Sequence, residues 1–90
     1  MIRAYRITRQ YGVSFAGLVI LDILAKEGES FESALARRMK ISDPAVYGAI
    51  HDLIDRGYAE VRRARADRRR RLLSITPEGK ELLTKGGEDD

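Results

Sequence analysis

The most chemically distinctive stretch of the sequence is an arginine run, RRARADRRRR, at positions 62–71. Its seven arginines and one acid, Asp67, give these ten residues a formal charge of +6. The whole chain carries +3, so subtracting the run leaves −3 for the other eighty residues. One short segment therefore holds the positive potential, which favours a site for a polyanion over a solvated charge run. The apolar residues on both sides of the run argue against a disordered tail.

The sequence contains no set of residues typical of catalysis or of a metal site. It has no cysteine and a single histidine, His51, which excludes thiolate and histidine-cluster metal sites and a His-paired nucleophile network within one chain. Asp52 and Asp55 lie near this histidine, but nothing pairs with them as a buried acid/base couple. No glycine-rich phosphate loop is present. We therefore expect a protein that is not an enzyme and that uses no cofactor and no metal.

Length and composition predict one small domain. Ninety residues with 43% apolar content can bury a single modest core. The longest apolar run, FAGLVILDILA, is about half as long as a membrane-spanning helix and is interrupted by Asp22. The N-terminus has no signal-peptide core, and the lack of cysteine fits a reducing compartment. We expect a soluble cytoplasmic protein that does not insert into a membrane.

The first strongly periodic segment, SFAGLVILDILAKEGE, predicts a helix that begins near Ser14 and ends at Gly28. Its apolar surface is wider than one small core needs. Either the helix is buried on two sides or its second side meets a partner, and the rule that large apolar patches mark interfaces favours the partner. We therefore expect a homodimer formed through this helix and the terminal segments, with residues 1–13 as an N-terminal arm and a candidate dimerisation segment.

Two further helices are predicted before residue 58. In SFESALARRMK, Ser30 or Ser33 is the expected N-cap, and the inward residues are Leu35, Ala36 and Met39. In ISDPAVYGAIHDLIDRGY, Ser42 is the expected N-cap, Pro44 is tolerated in the first turn, and Gly57 ends the helix. The buried stripe of this third helix is predicted to be Val46, Ile50, Leu53 and Ile54.

After Gly57 the hydrophobic period changes to that of strands. YAEVRRAR and RRLLSIT predict two short strands joined around residues 66–68, so the arginines occupy the tip and flanks of a hairpin. TPEGKELLTKGG predicts a final helix with Thr76 as its N-cap and Gly86 and Gly87 at its end. Residues 14–85 therefore predict a winged helix-turn-helix of the α+β class, mainly α, with a three-helix core, a two-stranded β-wing and a short C-terminal helix. Residues 86–90 are expected to form a frayed acidic tail.

With these elements placed, the segment Leu35–Leu83 resembles the MarR and PadR families of winged-helix transcription regulators. RGYAEVRR, the Asp67-Arg68-Arg69 tip and LLSITPEG follow the MarR wing in order and spacing, whereas VYGAIHDL is more similar to the PadR recognition helix. The residues do not separate the two families. The resemblance implies a dimeric, sequence-specific regulator that binds double-stranded DNA. It also implies that the third helix enters the major groove while the wing enters the minor groove, with Asp67 bracing the tip by pairing with Arg69.

Two departures from the MarR pattern bear on these expectations. Lys40 stands where the turn between the second and third helices usually carries a glycine, which costs up to about 1–2 kcal/mol if that position is left-handed. Full-length MarR proteins have long terminal helices that form the dimer and enclose an effector pocket. Here the N-terminal arm is about a dozen residues and the C-terminal helix is about three turns. A small-molecule effector pocket of that kind is therefore not predicted.

The candidate DNA-binding residues fall into three groups. The wing contributes Arg65, Asp67, Arg68, Arg69 and Arg70. The recognition helix contributes Ser42, Pro44, Ala45, Tyr47, Gly48 and His51. Further contacts to backbone phosphates are expected from Arg37, Arg38 and Lys40.

The recognition helix carries few groups that can read bases. Its candidates include no Arg, Lys, Asn or Gln, the residues that make bidentate base contacts, so we expect modest direct readout. Gly48 either lets DNA approach the helix closely or is a tolerated glycine with no role, and Tyr47 either contacts DNA or packs at the edge of the core. His51 is interpreted as a groove-facing residue in preference to a metal ligand or a pH switch.

Two other functions are compatible with the same residues. One is a sequence-tolerant architectural DNA-binding protein, which differs from a regulator because it protects no discrete palindromic sites on genomic fragments. The other is a winged-helix interaction module whose arginines meet an acidic protein, which binds no duplex even at low salt.

Overall fold

The computed structural model describes the backbone of residues 2–85 and the side chains of residues 5–85. Within these residues, five helices pack together with a small antiparallel sheet whose strand order is β1-β3-β2. The elements are α1 (Ile2–Tyr11), α2 (Phe15–Glu27), β1 (Ser30–Phe31), α3 (Glu32–Arg38), α4 (Asp43–Asp55), β2 (Ala59–Arg63), β3 (Arg71–Ile75) and α5 (Pro77–Lys85). The pair α3–α4 followed by the hairpin β2–β3 is a winged helix-turn-helix, which confirms the predicted fold class. The predicted end of the last helix at Gly86 and Gly87 and the acidic tail lie outside the described residues.

The predicted ends of α2 and α4 are confirmed by their caps. The Ser14 hydroxyl accepts a hydrogen bond from Gly17 N at 3.0 Å, and the Ser42 hydroxyl accepts one from Ala45 N at 3.3 Å. At its C-terminus α4 stops because Gly57 adopts a φ of 82°, which residues with a Cβ rarely adopt.

The start of α3 corrects the predicted cap. The residue before this helix is Phe31, which makes no side-chain capping bond. Ser30 belongs instead to β1 and Ser33 lies inside the first turn of α3, so neither serine is the N-cap. Strand β1 was not predicted from the sequence; it pairs with β3 through Ser30–Leu73 and Phe31–Leu72. The short strand extends the predicted two-stranded wing to a three-stranded sheet.

The core is built around α2. Its Ile20, Leu21 and Leu24 are fully buried, and the helix contacts α1, α4, α5 and β3. The predicted stripe of α4 is also confirmed, because Val46, Ile50 and Leu53 are buried and Ile54 is partly buried. The apolar surface of α2 is therefore buried on more than one side by its own chain, which was the less favoured alternative. The width of this apolar surface is therefore explained without a second copy of the chain.

The N-terminal arm contains a helix that sequence reasoning did not predict. Helix α1 packs on α2 through buried Ile7, and Arg56 holds the corner between the two helices by donating from Nη1 to the Tyr11 carbonyl at 3.0 Å. One large side chain on each of these two helices is exposed, Tyr5 of α1 at 63% and Phe15 of α2 at 58%. None of the described helices alone has the length and apolar character to cross a membrane. One pair, Tyr5–Tyr11 with Phe15–Glu27, meets that test together but is bent by 112°.

The turn between α3 and α4 carries no left-handed residue. Every positive φ among the described residues belongs to a glycine, so Lys40 does not adopt the conformation that would have cost about 1–2 kcal/mol. Met39 leaves α3 in an extended conformation, with φ −76° and ψ 136°. The missing glycine therefore imposes no backbone strain on this turn.

Thr76 joins the end of α4 to the start of α5. Its hydroxyl donates to the Gly57 carbonyl at 2.7 Å and accepts from Gly79 N at 3.1 Å, which confirms it as the N-cap of α5. Its backbone N–H also donates to the Tyr58 carbonyl at 3.1 Å. Since Gly79 packs directly on Tyr58, a Cβ at position 79 would overlap the Tyr58 carbonyl oxygen. The wing and α5 are thus fixed to α4 at one buried junction.

Candidate nucleic-acid interface

Helix α4 presents its candidate residues to solvent. With the stripe of Val46, Ile50 and Leu53 turned to the core, the remaining faces carry the predicted contact residues. All of them are exposed: Ser42, Pro44, Ala45, Tyr47, Gly48 and His51. A Cβ added at Gly48 would have no neighbour within 4 Å, so no packing inside the protein requires a glycine there. The exposure is as predicted, while contact with DNA stays a prediction.

The wing is a regular hairpin with an ordered tip. Strands β2 and β3 pair along five residues, from Ala59–Ile75 to Arg63–Arg71. Beyond them, Ala64 N donates to the Arg70 carbonyl at 2.9 Å. The Arg63 guanidinium donates to the Arg68 carbonyl at 3.0 Å, which ties the tip to the strand below it. The tip therefore has a defined shape before any ligand binds.

Asp67 braces this tip as the resemblance implied. Its Oδ1 accepts hydrogen bonds from the backbone N and the Nε of Arg69, both at 3.1 Å, and its carbonyl accepts from Arg70 N at 2.9 Å. These bonds define a tight turn over residues 67–70. The pKa of Asp67 lies below its ordinary value of 3.8, first because the Arg69 side chain donates to the carboxylate and then because the Arg69 backbone does. The Arg69 side chain is nevertheless 92% exposed, so its charge remains accessible to a ligand.

The bracing predicts a measurable titration of Asp67. A lowered pKa means that the interaction is present above pH 3.8 and is lost as the pH falls through the lowered value. We expect an NMR titration of the Asp67 carboxyl carbon to give a midpoint below 3.8, and the substitution Arg69→Gln to move it upward. Arg65→Gln, at the same tip, is the control and should leave the midpoint nearly unchanged. Equal midpoints for the parent and Arg69→Gln would contradict the bracing.

The arginines of the run are not equivalent. Arg65 and Arg68 make no side-chain hydrogen bond or ion pair with any residue that the structure describes, so their charges are free. Arg70 stacks on the ring of Phe31, with Cζ 3.6 Å from the ring centroid. Two arginines on the strands just below the tip are paired instead with glutamates, Arg62 with Glu29 and Arg71 with Glu32. These two pairs were not predicted from the sequence, because the partners lie 33 and 39 residues apart along the chain.

The three residues predicted to contact phosphates also differ in whether they are paired with an acid. Arg37 and Lys40 are exposed and unpaired within residues 5–85. Arg38 donates from Nη1 to Glu27 Oε1 at 2.6 Å, and this bond raises the pKa of Arg38 and lowers that of Glu27. Any phosphate at Arg38 must therefore compete with Glu27.

The two halves of the predicted interface border one cleft. Tyr47 of α4 lies on one side of it, and Arg69, Arg70 and Arg71 of the wing lie on the other. Recognition helix and wing are thus neighbours across a single open surface, which is the arrangement that a winged helix needs to engage two adjacent grooves.

Comparison with known proteins identifies the family. The sequence model of the MarR family matches residues 11–70, two thirds of the chain. The chain belongs to the MarR family. The match decides between the two families that the residues alone left open. Since MarR-family members are transcriptional regulators and not enzymes, it also confirms the expectation that the chain has no catalytic role.

Solved MarR-type structures share the fold over nearly the whole chain. The transcriptional regulator Tm0710 from Thermotoga maritima is 28% identical with a TM-score of 0.87, covering 97% of this chain and 61% of its own. The transcriptional regulator BldR from Sulfolobus solfataricus is 26% identical with a TM-score of 0.82, covering 96% and 61%. Overoxidized AbfR, solved bound to DNA, shares the fold at 17% identity and a TM-score of 0.80, covering 96% and 63%. This MarR-family chain thus spans about three fifths of the length of these structures. No curated protein sequence matches it.

Proposed function

We propose that this MarR-family chain binds double-stranded DNA as a homodimeric, sequence-specific regulator of transcription. In this proposal residues 14–85 form the DNA-binding domain, α4 enters the major groove and the arginine wing enters the adjacent minor groove. The observation that carries it is the shared cleft, which brings the exposed face of α4 beside a wing whose tip presents free arginines.

The chemistry of the wing suits a narrow, negatively charged groove. Arginine keeps its charge at any physiological pH and is desolvated more cheaply than lysine, so it is the preferred side chain in the minor groove. Arg68 and Arg69 sit at the tip of a hairpin already ordered by Asp67, so little chain entropy is lost on binding. This placement supports a role for both arginines in the minor groove.

The chemistry of α4 predicts weaker base discrimination. Tyr47 and His51 can each form single hydrogen bonds, and Ala45 can contact a thymine methyl group. None of these is a bidentate contact. Much of the affinity should therefore come from phosphates and from DNA shape, with specificity supplied by few direct contacts. AbfR, which shares this fold, was solved bound to DNA, and this supports DNA as the partner proposed for this chain.

Site selection tests the proposed function. From a pool of randomised duplexes we expect enrichment of paired half-sites whose centres lie about 10 base pairs apart, because a dimer presents two recognition helices about one helical turn apart. Binding without enrichment would favour the sequence-tolerant architectural protein. No binding at low salt would favour the protein-interaction module.

The proposed homodimer is tested separately, by measuring the molecular mass of the protein in solution. Tyr5 of α1 and Phe15 at the start of α2 are the two most exposed of the large apolar side chains that the structure describes, and they are available to a second copy in place of the buried face of α2. Sedimentation at micromolar concentration should give about twice the 10.2 kDa of one chain. A single species at the monomer mass would contradict the homodimer and leave duplex binding to be judged separately.

A further inference from the structure

A cleft of about 360 Å³ lies between α4 and the part of the wing where the tip turn leads into β3. It is lined by Glu32, Ser33, Tyr47, Arg69, Arg70 and Arg71. Cations and hydroxyl groups therefore meet at the point where the surface passes from the recognition helix to the wing. One acid, Glu32, also borders the cleft, so the charge available to a ligand depends on how that acid is paired.

The Glu32 carboxylate is already neutralised. Arg71 donates from Nε to Glu32 Oε2 at 3.1 Å, and the glutamate side chain is only 10% exposed. Arg71 is therefore committed to this pair, and Glu32 presents little negative charge to solvent. The same pair joins the first residue of β3 to the first residue of α3.

Arg70 is the cation of the cleft whose side-chain hydrogen-bond donors are unused by the described residues. Its guanidinium lies over the Phe31 ring, with Cζ 3.6 Å from the centroid, and its side chain makes no hydrogen bond to any of the described residues. The N–H donors of a guanidinium lie in its plane, so an aromatic ring that covers one face leaves them available at the edge. The stack with Phe31 thus limits the positions of the arginine without using its donors.

We propose that this cleft binds one phosphodiester group of the DNA backbone, with Arg70 as its charged ligand and the hydroxyls of Tyr47 and Ser33 as neutral donors. The proposal rests on the proposed function and adds a defined site to it. A phosphodiester matches the cleft because its two charged oxygens can accept from the guanidinium edge and from hydroxyls at the same time. In this role Phe31 is a positioning residue, which acts through the orientation that it gives to Arg70.

In this proposal neighbouring arginines of the wing bind different parts of the duplex. Arg68 and Arg69 at the tip serve the groove, whereas Arg70 binds the strand between the two grooves. Phosphate contacts of this kind fix the register of the protein on the duplex without reading sequence. The loss of Arg70 should therefore weaken binding to all duplexes by a similar factor.

Salt-dependent binding to one mixed-sequence duplex tests the site. For Arg70→Gln we expect about tenfold weaker binding at moderate salt and a slope of log affinity against log salt smaller by about 0.9, the value for one phosphate. Arg62→Gln is the charge-matched control, since Arg62 is paired with Glu29 and does not line the cleft. It should change the slope by much less. Tyr47→Phe should weaken binding by a few fold with the slope unchanged, because it removes a neutral donor.

Two variants of Phe31 test the positioning role. Phe31→Leu should weaken binding and should cause no further loss when Arg70→Gln is already present, whereas Phe31→Tyr keeps a ring and should bind like the parent. Thermal unfolding of each variant checks that the fold is retained. If the parent binds steeply but Arg70→Gln behaves like Arg62→Gln, or if Phe31→Leu and Arg70→Gln add fully, the phosphodiester site is wrong while the proposed function stands. If the parent binds no duplex at low salt, both are wrong.

Discussion

Replacing Arg68 and Arg69 together with alanine is expected to lower the affinity for a mixed-sequence duplex about 100-fold at moderate salt, or about 2.8 kcal/mol. Each of these side chains is exposed at the wing tip, and a contact between a guanidinium and an anion contributes about 1.5–3 kcal/mol. Removal of Arg69 also releases Asp67, which would then face the DNA as an unpaired acid. The loss should therefore exceed that of any pair of charges elsewhere on the chain.

A charge-matched double variant provides the control. Lys26→Ala with Lys80→Ala removes the same two positive charges from exposed positions on α2 and α5, away from the cleft. We expect this variant to bind within about threefold of the parent, because screening limits the effect of distant surface charges. If the two double variants lose the same affinity, net charge alone drives binding and the wing has no special role.

Replacing Gly79 with alanine is expected to lower the free energy of unfolding by about 3 kcal/mol. The new Cβ would overlap the Tyr58 carbonyl oxygen and lie 2.7 Å from Ile75 Cγ1, and a backbone carbonyl has little room to move. The Tyr58 carbonyl also accepts from Thr76 N, so any shift disturbs the junction that fixes α5 and the wing to α4. For a small domain stabilised by about 5–10 kcal/mol, the effect should be visible as a large shift of the urea midpoint.

Gly48→Ala is the matched control for that substitution. Gly48 is also a helical glycine, but nothing lies within 4 Å of the position its Cβ would occupy. Alanine there should raise the free energy of unfolding by up to about 1 kcal/mol. If Gly79→Ala unfolds at the same urea concentration as the parent, the close packing of Gly79 on the Tyr58 carbonyl is contradicted. The duplex affinity of Gly48→Ala also decides whether DNA approaches this helix closely, because a methyl group at such a contact would weaken binding.

Local signals in the sequence predicted most of the helices and the wing. A cap depends on a side chain and a backbone group about three residues away, which is why Ser14, Ser42 and Thr76 were identified correctly. The left-handed Gly57 at the end of α4 is equally local. Strand β1 was missed because its two residues show no alternation, and its partner β3 lies far along the chain. The serine cap assigned to α3 failed for the same reason, since Ser30 is used in that pairing.

Long-range pairing also explains what the sequence could not predict about the site. The seven arginines of residues 62–71 cannot be told apart by sequence pattern, because all have the same side chain and similar neighbours along the chain. In the structure they differ in the residues that they contact. Arg62 is paired with Glu29 and Arg71 with Glu32. Arg70 is stacked on Phe31, and Arg68 has no partner among the described residues. Likewise, the apolar width of α2 did not reveal how many elements would pack on it. Both properties depend on tertiary neighbours that no local pattern encodes.

Affinity for a mixed-sequence DNA duplex, measured across a series of salt concentrations, tests the central claim most directly. Four exposed cations have no partner among the described residues: Arg37, Lys40, Arg65 and Arg68. Together with the exposed Arg69 and Arg70, they predict several phosphate contacts. Log affinity should therefore fall linearly with log salt, with a slope of about −0.9 for each phosphate neutralised and of at least about −3 in total. No binding at low salt would contradict the account, because the arginine wing would then serve a partner other than duplex DNA.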